Sequence, residues 1–206
     1  MQVCLRHSVT GQQQIMRIQD ISEDGCAYSK ADIVYSDPPW SPGCLKWWYT
    51  YAGRSSSCGY EMFLASLCAR IARVTPQHVF IEQSINTEHR EMLLSAIGSC
   101  ASWMLPLAGI YECVYGRPRR PNVLLHWGFA SLRTDPSMRH GVDLVRVALQ
   151  GTGGLMGRII YDPCMGKGAT SRVAHEMGAS FVGHEMNSRR AGCAIGWLKR
   201  HGYSEQ

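Results

Sequence analysis

The 206-residue sequence lacks the usual marks of exported, metal-bound and membrane-spanning proteins. Its nine cysteines are an odd number and include no Cys-x-x-Cys pair, which argues against a zinc ribbon and against a disulfide framework. The N-terminus has no apolar signal-peptide core, and the uncharged stretch 92–111 is interrupted by serine, glycine and proline. We therefore expect a cytoplasmic protein with no membrane span and no bound metal.

Internal repeats and low-complexity tracts are also absent. The composition, 45% hydrophobic and 18% charged, predicts one folded domain with a substantial core.

Acidic residues are outnumbered by basic ones, and the formal charge is +5. Residues 117–146 contain six arginines and two aspartates, so this stretch carries four of the five net charges. Such an excess suits a polyanion-binding face, although a solvated arginine face without a partner is about as common.

Strand-like and helix-like segments alternate along most of the chain. Strands are expected at 31–35, 78–81, 103–111, 122–130, 158–162 and 180–184. Helices are expected near 64–71, 88–97, 142–149, 169–177 and 187–200. Residues 36–59, which include Trp47, Trp48 and Tyr51, are expected to form a long aromatic loop. This order predicts an α/β fold with a mostly parallel, doubly wound sheet and an antiparallel edge hairpin.

A glycine-rich loop lies between the strand at 158–162 and the next helix. It reads Asp162-Pro163-Cys164-Met165-Gly166-Lys167-Gly168-Ala169-Thr170, and its glycines allow a ligand to approach the backbone closely. Glu185 ends the following strand, where a carboxylate can accept hydrogen bonds from ribose hydroxyls. A P-loop would have Ser or Thr after Lys167, where this sequence has Gly168. A dinucleotide fingerprint would have Gly or Ala three positions after Gly168, where this sequence has Ser171. We therefore expect a compact nucleoside cofactor without a pyrophosphate.

A second motif, Asp37-Pro38-Pro39-Trp40, follows the strand at 31–35. Its prolines fix the backbone and lack amide protons. The Asp37 carboxylate and the Pro38 carbonyl can accept both protons of an exocyclic amine and aim its lone pair at an electrophile. Trp40 offers a ring face on which a planar base can stack. Taken alone, this motif is also consistent with a rigid turn that has no chemical role.

Together, these two motifs and Gly183-His184-Glu185-Met186-Asn187 resemble the S-adenosylmethionine-dependent amino-methyltransferases that act on nucleic acids. The catalytic motif precedes the cofactor motif, an order that resembles the permuted β-class of DNA adenine-N6 methyltransferases. The messenger-RNA adenine methyltransferases also carry Asp-Pro-Pro-Trp. The resemblance implies a single Rossmann-like methyltransferase domain over residues 1–206, with circularly permuted motif order and no separate target-recognition domain. Its catalytic half would be about 15–130 and its cofactor half about 137–206.

The resemblance also implies roles for individual residues. The cofactor would be S-adenosylmethionine, bound by Asp20, Asp162, Pro163, Cys164, Gly166, Gly168, Thr170, Glu185 and Asn187. The catalytic residues would be Asp37, Pro38, Pro39 and Trp40. A leading Asp in this motif is typical of adenine enzymes, whereas cytosine enzymes usually have Ser there. Segment 140–144 resembles the one that precedes the cofactor motif in the permuted class, but it lacks the usual Lys-Pro.

The expected macromolecular partner is DNA. Its phosphates would be contacted by arginines, namely Arg54, Arg117, Arg119, Arg120, Arg133 and Arg139. Only residues 131–140 are available where relatives insert a recognition domain, which implies low sequence specificity, a homodimer or a recognition subunit. Three alternatives stay open: an RNA adenine methyltransferase, a non-catalytic subunit that binds cofactor or nucleic acid, and a methyltransferase for small-molecule or protein amines.

Overall fold

A computed structural model describes residues 1–21, 30–55, 58–99, 105–115, 120–129 and 140–206 of the chain. These ranges contain nine β-strands and six α-helices. The strands are β1 (Gln2–His7), β2 (Gln13–Ile18), β3 (Ile33–Ser36), β4 (His78–Ser84), β5 (Leu107–Tyr115), β6 (Arg120–Trp127), β7 (Ile159–Asp162), β8 (Ser180–Glu185) and β9 (Tyr203–Glu205). The helices are α1 (Pro42–Tyr51), α2 (Tyr60–Arg73), α3 (Thr87–Gly98), α4 (Val142–Gln150), α5 (Ala169–Glu176) and α6 (Ser188–Arg200).

The nine strands form one sheet in the order β5-β6-β4-β3-β7-β8-β2-β1-β9. The five central strands, from β4 to β2 in this order, are parallel. The β5–β6 hairpin joins β4 antiparallel at one edge, as expected from the sequence. At the other edge β1 lies antiparallel between β2 and β9, an addition that is not predicted from the sequence. The predicted α/β fold class is confirmed.

Helices cover both faces of the sheet, which explains why its central strands are apolar on both sides. On one face the core contains Leu67 and Ile71 of α2 packed against the sheet. On the other face Leu144 of α4, Val173 of α5 and Leu198 of α6 are buried. Among these described helices, none has the length and apolar character needed to cross a membrane.

Residues 42–51 form a helix, so the expectation of an aromatic loop over 36–59 is wrong for these ten residues. The Ser41 hydroxyl caps α1 by accepting a hydrogen bond from the Cys44 amide at 3.1 Å. Pro42 occupies the first turn, where its missing amide proton costs nothing. Leu45 and Tyr49, four residues apart, bury one face of the helix. The Ser-Pro pair is therefore a helix start rather than part of a turn.

The connections that leave β3 and β7 run in opposite directions across the sheet. After β3 the chain passes through α1 and α2 to β4, whereas after β7 it passes through α5 to β8. β3 and β7 are adjacent and parallel, with Ile33 opposite Ile160. Diverging connections leave a crevice beyond the carboxyl ends of two such strands, which is where doubly wound sheets bind ligands. Each of the two sequence motifs follows one of these strands.

Candidate active site

The two motif loops meet in one cleft of about 320 Å³ beyond the carboxyl ends of β3, β7 and β8. Residues 37–40 line one side of this cleft, and Pro163, Cys164 and Glu185 line the other. Asp20, which follows β2, completes the wall. The cleft therefore brings together motifs that lie far apart in the chain.

Hydrogen bonds within the catalytic loop and to α2 hold it in place. The Trp40 indole donates to Asp37 Oδ1 at 2.9 Å, which fixes both the ring and the carboxylate. The Tyr60 hydroxyl donates to the Pro39 carbonyl at 3.1 Å. Pro38 and Pro39 are buried, whereas Asp37 and Trp40 are partly exposed in the cleft. The loop thus presents a carboxylate and an indole ring from a rigid backbone.

A line of polar side chains extends from Asp37 into the sheet. His140 Nε2 lies 3.6 Å from Asp37 Oδ2, and His140 Nδ1 lies 2.5 Å from Glu82 Oε2. The Tyr35 hydroxyl donates to the other oxygen of Glu82 at 2.6 Å. Glu82 is only 1% exposed, so these contacts replace its hydration. Neither Glu82 nor a definite role for His140 is predicted from the sequence.

The protonation states in this line depend on one another. Burial raises the pKa of Asp37 to about 7; the Glu82 charge adds to this rise, while His140, Trp40 and Arg190 oppose it. Burial lowers the pKa of His140, but its hydrogen bond and charge interaction with Glu82, helped by Asp37, outweigh burial and bring it to about 9. His140 is therefore protonated at neutral pH. Asp37, Glu82 and His140 have the spacing of metal ligands, within 4.8 Å of one another, and a metal ion there would have to displace the His140 proton.

Two carboxylates lie on the cofactor side of the cleft. Glu185 Oε1 accepts a hydrogen bond from the Asn187 amide at 2.8 Å, and Arg190 Nε lies 3.9 Å from the other oxygen. Burial raises the pKa of Glu185, and the Arg190 charge and backbone amides oppose that rise. Asp20 Oδ2 accepts from the Tyr49 hydroxyl at 2.5 Å. Both acids stand at strand ends, where they can accept hydrogen bonds from a ligand.

Asp162 and Thr170 support the glycine loop from behind. Asp162 Oδ2 accepts from the Thr170 hydroxyl at 2.6 Å, and Oδ1 accepts from the Cys164 amide at 2.9 Å. Both residues are buried, and burial raises the pKa of Asp162 to about 7. At Gly168, where φ is +82°, a Cβ would lie 2.6 Å from Ala194 Cβ. The glycine is therefore needed for close packing against α6.

Helix α6 contributes two residues that link the halves of the site. Asn187 caps α6, accepting from the Arg190 amide at 3.1 Å, and its side-chain amide donates to the Tyr51 carbonyl at 3.1 Å. The Arg190 guanidinium lies 3.8 Å from the centroid of the Trp48 ring. A Cβ on Gly166 would lie 2.5 Å from this guanidinium. Arg190 is missed by sequence reasoning, since its only signal is a position in the helical turn after Glu185.

The arginines expected to contact phosphate are mostly outside the described residues. Arg117, Arg119, Arg133 and Arg139 fall there, and of Arg120 only the backbone in β6 is described. Arg54 follows α1 and is half-buried, and its amide donates to the Tyr49 carbonyl at 3.0 Å. Phosphate binding by this set stays a prediction.

No protein-family model matches the sequence, and the curated protein sequences gave no significant match. Solved structures do resemble the fold. TTHA0409 of Thermus thermophilus, a proposed DNA modification methylase, has a TM-score of 0.64 at 14% identity, covering 91% of this chain and 95% of that one. M1.HpyAVI has a TM-score of 0.57 at 15% identity, covering 89% of this chain and 97% of that one. The cytosine-N4-specific PvuII DNA methyltransferase has a TM-score of 0.67 at 10% identity, covering 88% of this chain and 85% of that one.

Complexes with S-adenosylmethionine are among the similar structures, for both TTHA0409 and M1.HpyAVI. At these sequence identities the similarity shows that the chain shares their fold. The function of this chain must therefore be argued from its own site.

Proposed function

We propose that this chain transfers a methyl group from S-adenosylmethionine to an exocyclic amine of DNA, with adenine N6 as the acceptor. The supporting observation is the cleft in which the rigid Asp37 loop faces the carboxylates Asp20 and Glu185. The solved structures of the same fold support the choice of donor and substrate, because two of them contain S-adenosylmethionine and one is a DNA methyltransferase.

The cofactor side of the cleft fits a nucleoside with a charged tail. The whole cleft has a volume of about 320 Å³, which lies within the range of small-molecule sites. Glu185 and Asp20 would accept hydrogen bonds from ribose hydroxyls and from an adenine amine, respectively. Gly166 and Gly168, both with positive φ, form the turn behind the cleft and are buried, Gly166 against Arg190 and Gly168 against Ala194. When bound there, S-adenosylmethionine supplies an electrophilic methyl carbon.

The catalytic loop would orient the accepting amine. Asp37 Oδ2 and the Pro38 carbonyl would each accept one amine proton, which aims the nitrogen lone pair across the cleft. The Trp40 hydrogen bond keeps the carboxylate from rotating, since it engages Oδ1. The Trp40 ring would stack on the base once it has left the helix.

Asp37 would also stabilise the positive charge that forms on the amine and accept its proton. The amine nitrogen becomes positive as it bonds to the methyl carbon, and a fixed carboxylate stabilises that charge. With a pKa near 7, Asp37 can then take the proton that the nitrogen releases and pass it to water. Protonated His140 favours the anionic form of Asp37 before the reaction, and Glu82 holds His140 in position. In this scheme His140 and Glu82 are positioning residues.

The experiment measures transfer of labelled methyl from S-adenosylmethionine to oligonucleotides in which either adenine or cytosine is the only base with a free exocyclic amine. Digestion and mass spectrometry then identify the methylated nucleoside, with RNA of the same sequence as a parallel substrate. We expect N6-methyladenine in DNA. Asp37→Ala should abolish transfer while calorimetry shows unchanged cofactor affinity. Failure of the wild-type chain to bind S-adenosylmethionine, or full activity of Asp37→Ala, would refute the proposal.

Cytosine N4 is the second candidate acceptor. It is favoured by the similarity to the PvuII enzyme, whose TM-score exceeds those of TTHA0409 and M1.HpyAVI. It is disfavoured by Asp37, because the resemblance associates cytosine enzymes with a leading Ser. Exclusive methylation of the cytosine oligonucleotide in the same assay would replace adenine N6 by this alternative.

We further propose one methyltransferase domain with low sequence selectivity. β6 ends at Trp127 and α4 begins at Val142, so the connection between them is too short for a recognition domain. Mapping methylated positions on a long mixed-sequence DNA tests this proposal. Scattered sites are expected, whereas a strict recognition sequence would contradict it.

A further inference from the structure

Helix α1 presents three aromatic rings beside the cleft. Trp47 and Tyr51 lie one helical turn apart, with ring planes 6° from parallel and centroids 5.1 Å apart. Trp48 is nearly perpendicular to both, at 4.5 and 5.8 Å. Trp47 is 54% exposed and Tyr51 46% exposed, and Trp47 and Trp48 also line the cleft. These three residues, termed the aromatic face of α1, form an apolar surface continuous with the proposed active site.

Contacts on its other sides hold this helix in place. Leu45 and Tyr49 are buried in the core, and Tyr49 donates to Asp20. The Asn187 side chain donates to the Tyr51 carbonyl, and Arg190 packs on the Trp48 ring. The exposed rings are therefore presented in a fixed orientation. Apolar rings that stay exposed do not gain the free energy of burial within the fold. A contiguous exposed apolar surface of this kind is therefore typical of a binding site.

Exposed cations lie beside the aromatic face of α1, whereas the nearby carboxylates Asp20, Asp37 and Glu185 lie within the cleft. Neither α1 nor α6 contains an acidic residue. Lys46 precedes Trp47 and is exposed, and Arg189 is exposed in the first turn of α6. Arg54, a predicted phosphate contact, follows the end of α1. Aromatic rings interspersed with cations match the alternation of bases and phosphates along a nucleic-acid strand.

We propose that the aromatic face of α1 binds an unpaired stretch of the substrate DNA strand, with a nucleotide beside the target base stacked on the ring face of Trp47 that Tyr51 does not cover. This inference rests on the proposed function and adds the strand state of its substrate. A base within a duplex has both faces covered by its neighbours, so only an unpaired base can lie flat on the exposed indole. The enzyme therefore acts on single-stranded or locally opened DNA in preference to intact duplex.

The test is fluorescence anisotropy with labelled single-stranded DNA and with a duplex of the same sequence, without cofactor. The wild-type chain should bind the single strand more tightly. Trp47→Ala should weaken single-strand binding about tenfold, because each base–aromatic stack contributes about 1–3 kcal/mol. Trp47→Phe keeps a ring and should retain most of the affinity. Met156→Ala is the matched control, since Met156 is 88% exposed and precedes the amino end of β7, opposite the cleft.

Several results would overturn the inference. These are tighter binding of the duplex, unchanged single-strand affinity in Trp47→Ala, or an equal loss in Met156→Ala. If the wild-type chain binds single-stranded RNA more tightly than single-stranded DNA, and Trp47→Ala weakens that RNA binding, the assignment to DNA is overturned. Weaker S-adenosylmethionine binding with normal DNA binding in Trp47→Ala would assign the face to the cofactor instead. Because this assay measures binding alone, an absence of methyl transfer would refute the proposed function without deciding the stacking result.

Discussion

Replacing His140 by Gln should shift the acid limb of the pH–rate profile of methyl transfer to higher pH. Asp37 must be ionised to accept the amine protons, so activity falls as pH drops through its pKa of about 7. His140 is the cation that faces Asp37 Oδ2 and holds that pKa down. Glutamine keeps a polar side chain of similar reach but removes the charge. The pKa of Asp37 then rises, and less of the carboxylate is ionised at neutral pH.

The size of the shift follows from the 3.6 Å between His140 Nε2 and Asp37 Oδ2. At about 4 Å two unit charges interact by about 4 kcal/mol when the effective dielectric constant is about 20. The two side chains are 27% and 34% exposed, so water in the cleft screens much of this. A screened interaction on the order of 1 kcal/mol corresponds to roughly one pH unit.

The substitution leaves the other titratable and charged groups around Asp37 in place. They are Tyr35 on β3, Glu82 on β4, Cys113 on β5, Asp162 on β7, Cys164 in the loop after β7, Cys44 on α1 and Arg190 on α6. Of these, Glu82 raises the pKa of Asp37 and Arg190 lowers it. A shift of the acid limb in His140→Gln therefore reports the loss of the imidazolium.

The assay measures kcat and kcat/KM across the neutral pH range at saturating S-adenosylmethionine. Arg190→Gln is the comparison variant. It removes a positive charge that lowers the pKa of Asp37 less than His140 does, so its acid limb should move to higher pH by a smaller amount. Circular dichroism and cofactor affinity serve as controls for folding. The reasoning is refuted if the limb of His140→Gln stays in place, or if Arg190→Gln moves it further.

Three further predictions concern the glycine loop and the acidic cluster. Asp162→Ala should lower the free energy of unfolding by about 2 kcal/mol in urea titrations, because two buried donors lose their acceptor, whereas Asp143→Ala, at a 74%-exposed ion pair, should change it little. Gly168→Ala should be more destabilising than Gly153→Ala, because both have positive φ but only at Gly168 does a Cβ overlap a neighbour. Chelation with EDTA should leave methyl transfer unchanged, because the proposed step uses no metal ion and a metal at His140 would first have to displace its proton; loss of activity on chelation would refute this.

Local sequence patterns were sufficient to predict the fold class and the two motif loops. β3, β7 and β8 are short, largely apolar runs because helices cover both of their faces, and each has an acid at or just after its last residue, namely Asp37, Asp162 and Glu185. The caps of the later helices are similarly local, as Asn187 before α6 illustrates. These signals depend on residues close together in the chain, which is why they can be read from it.

The β1–β2–β9 edge could not be predicted because a polar residue is buried there alongside Leu5 and Met16. Gln14 is fully buried in β2, and its side-chain amide donates to the Tyr203 hydroxyl of β9 at 3.3 Å. A run of glutamines is typical of an exposed segment. It becomes part of a sheet only when a remote residue satisfies the buried amide.

The same limit applies to the polar line behind Asp37. Glu82 lies on β4 and His140 precedes α4, and neither belongs to a motif. Their proximity to Asp37 depends on the pairing of β3 with β4, in which Tyr35 lies opposite Phe80. An acid and a histidine at unrelated positions in a sequence carry no sign of this contact. The motif thus predicted the carboxylate but not the groups that set its pKa.

The order of the two motifs along the chain does not determine whether they form one site. Each motif is carried by its own strand and leads into its own crossover, toward β4 for one and toward β8 for the other. The cleft requires only that β3 and β7 lie side by side with their carboxyl ends together, as the Ile33–Ile160 pairing shows. Joining the halves in the opposite order would keep β3 and β7 paired and leave these strand ends where they are. The cleft chemistry should therefore be sensitive to substitutions that disturb the β3–β7 pairing, and insensitive to a relocation of the chain termini that keeps His140 beside Asp37.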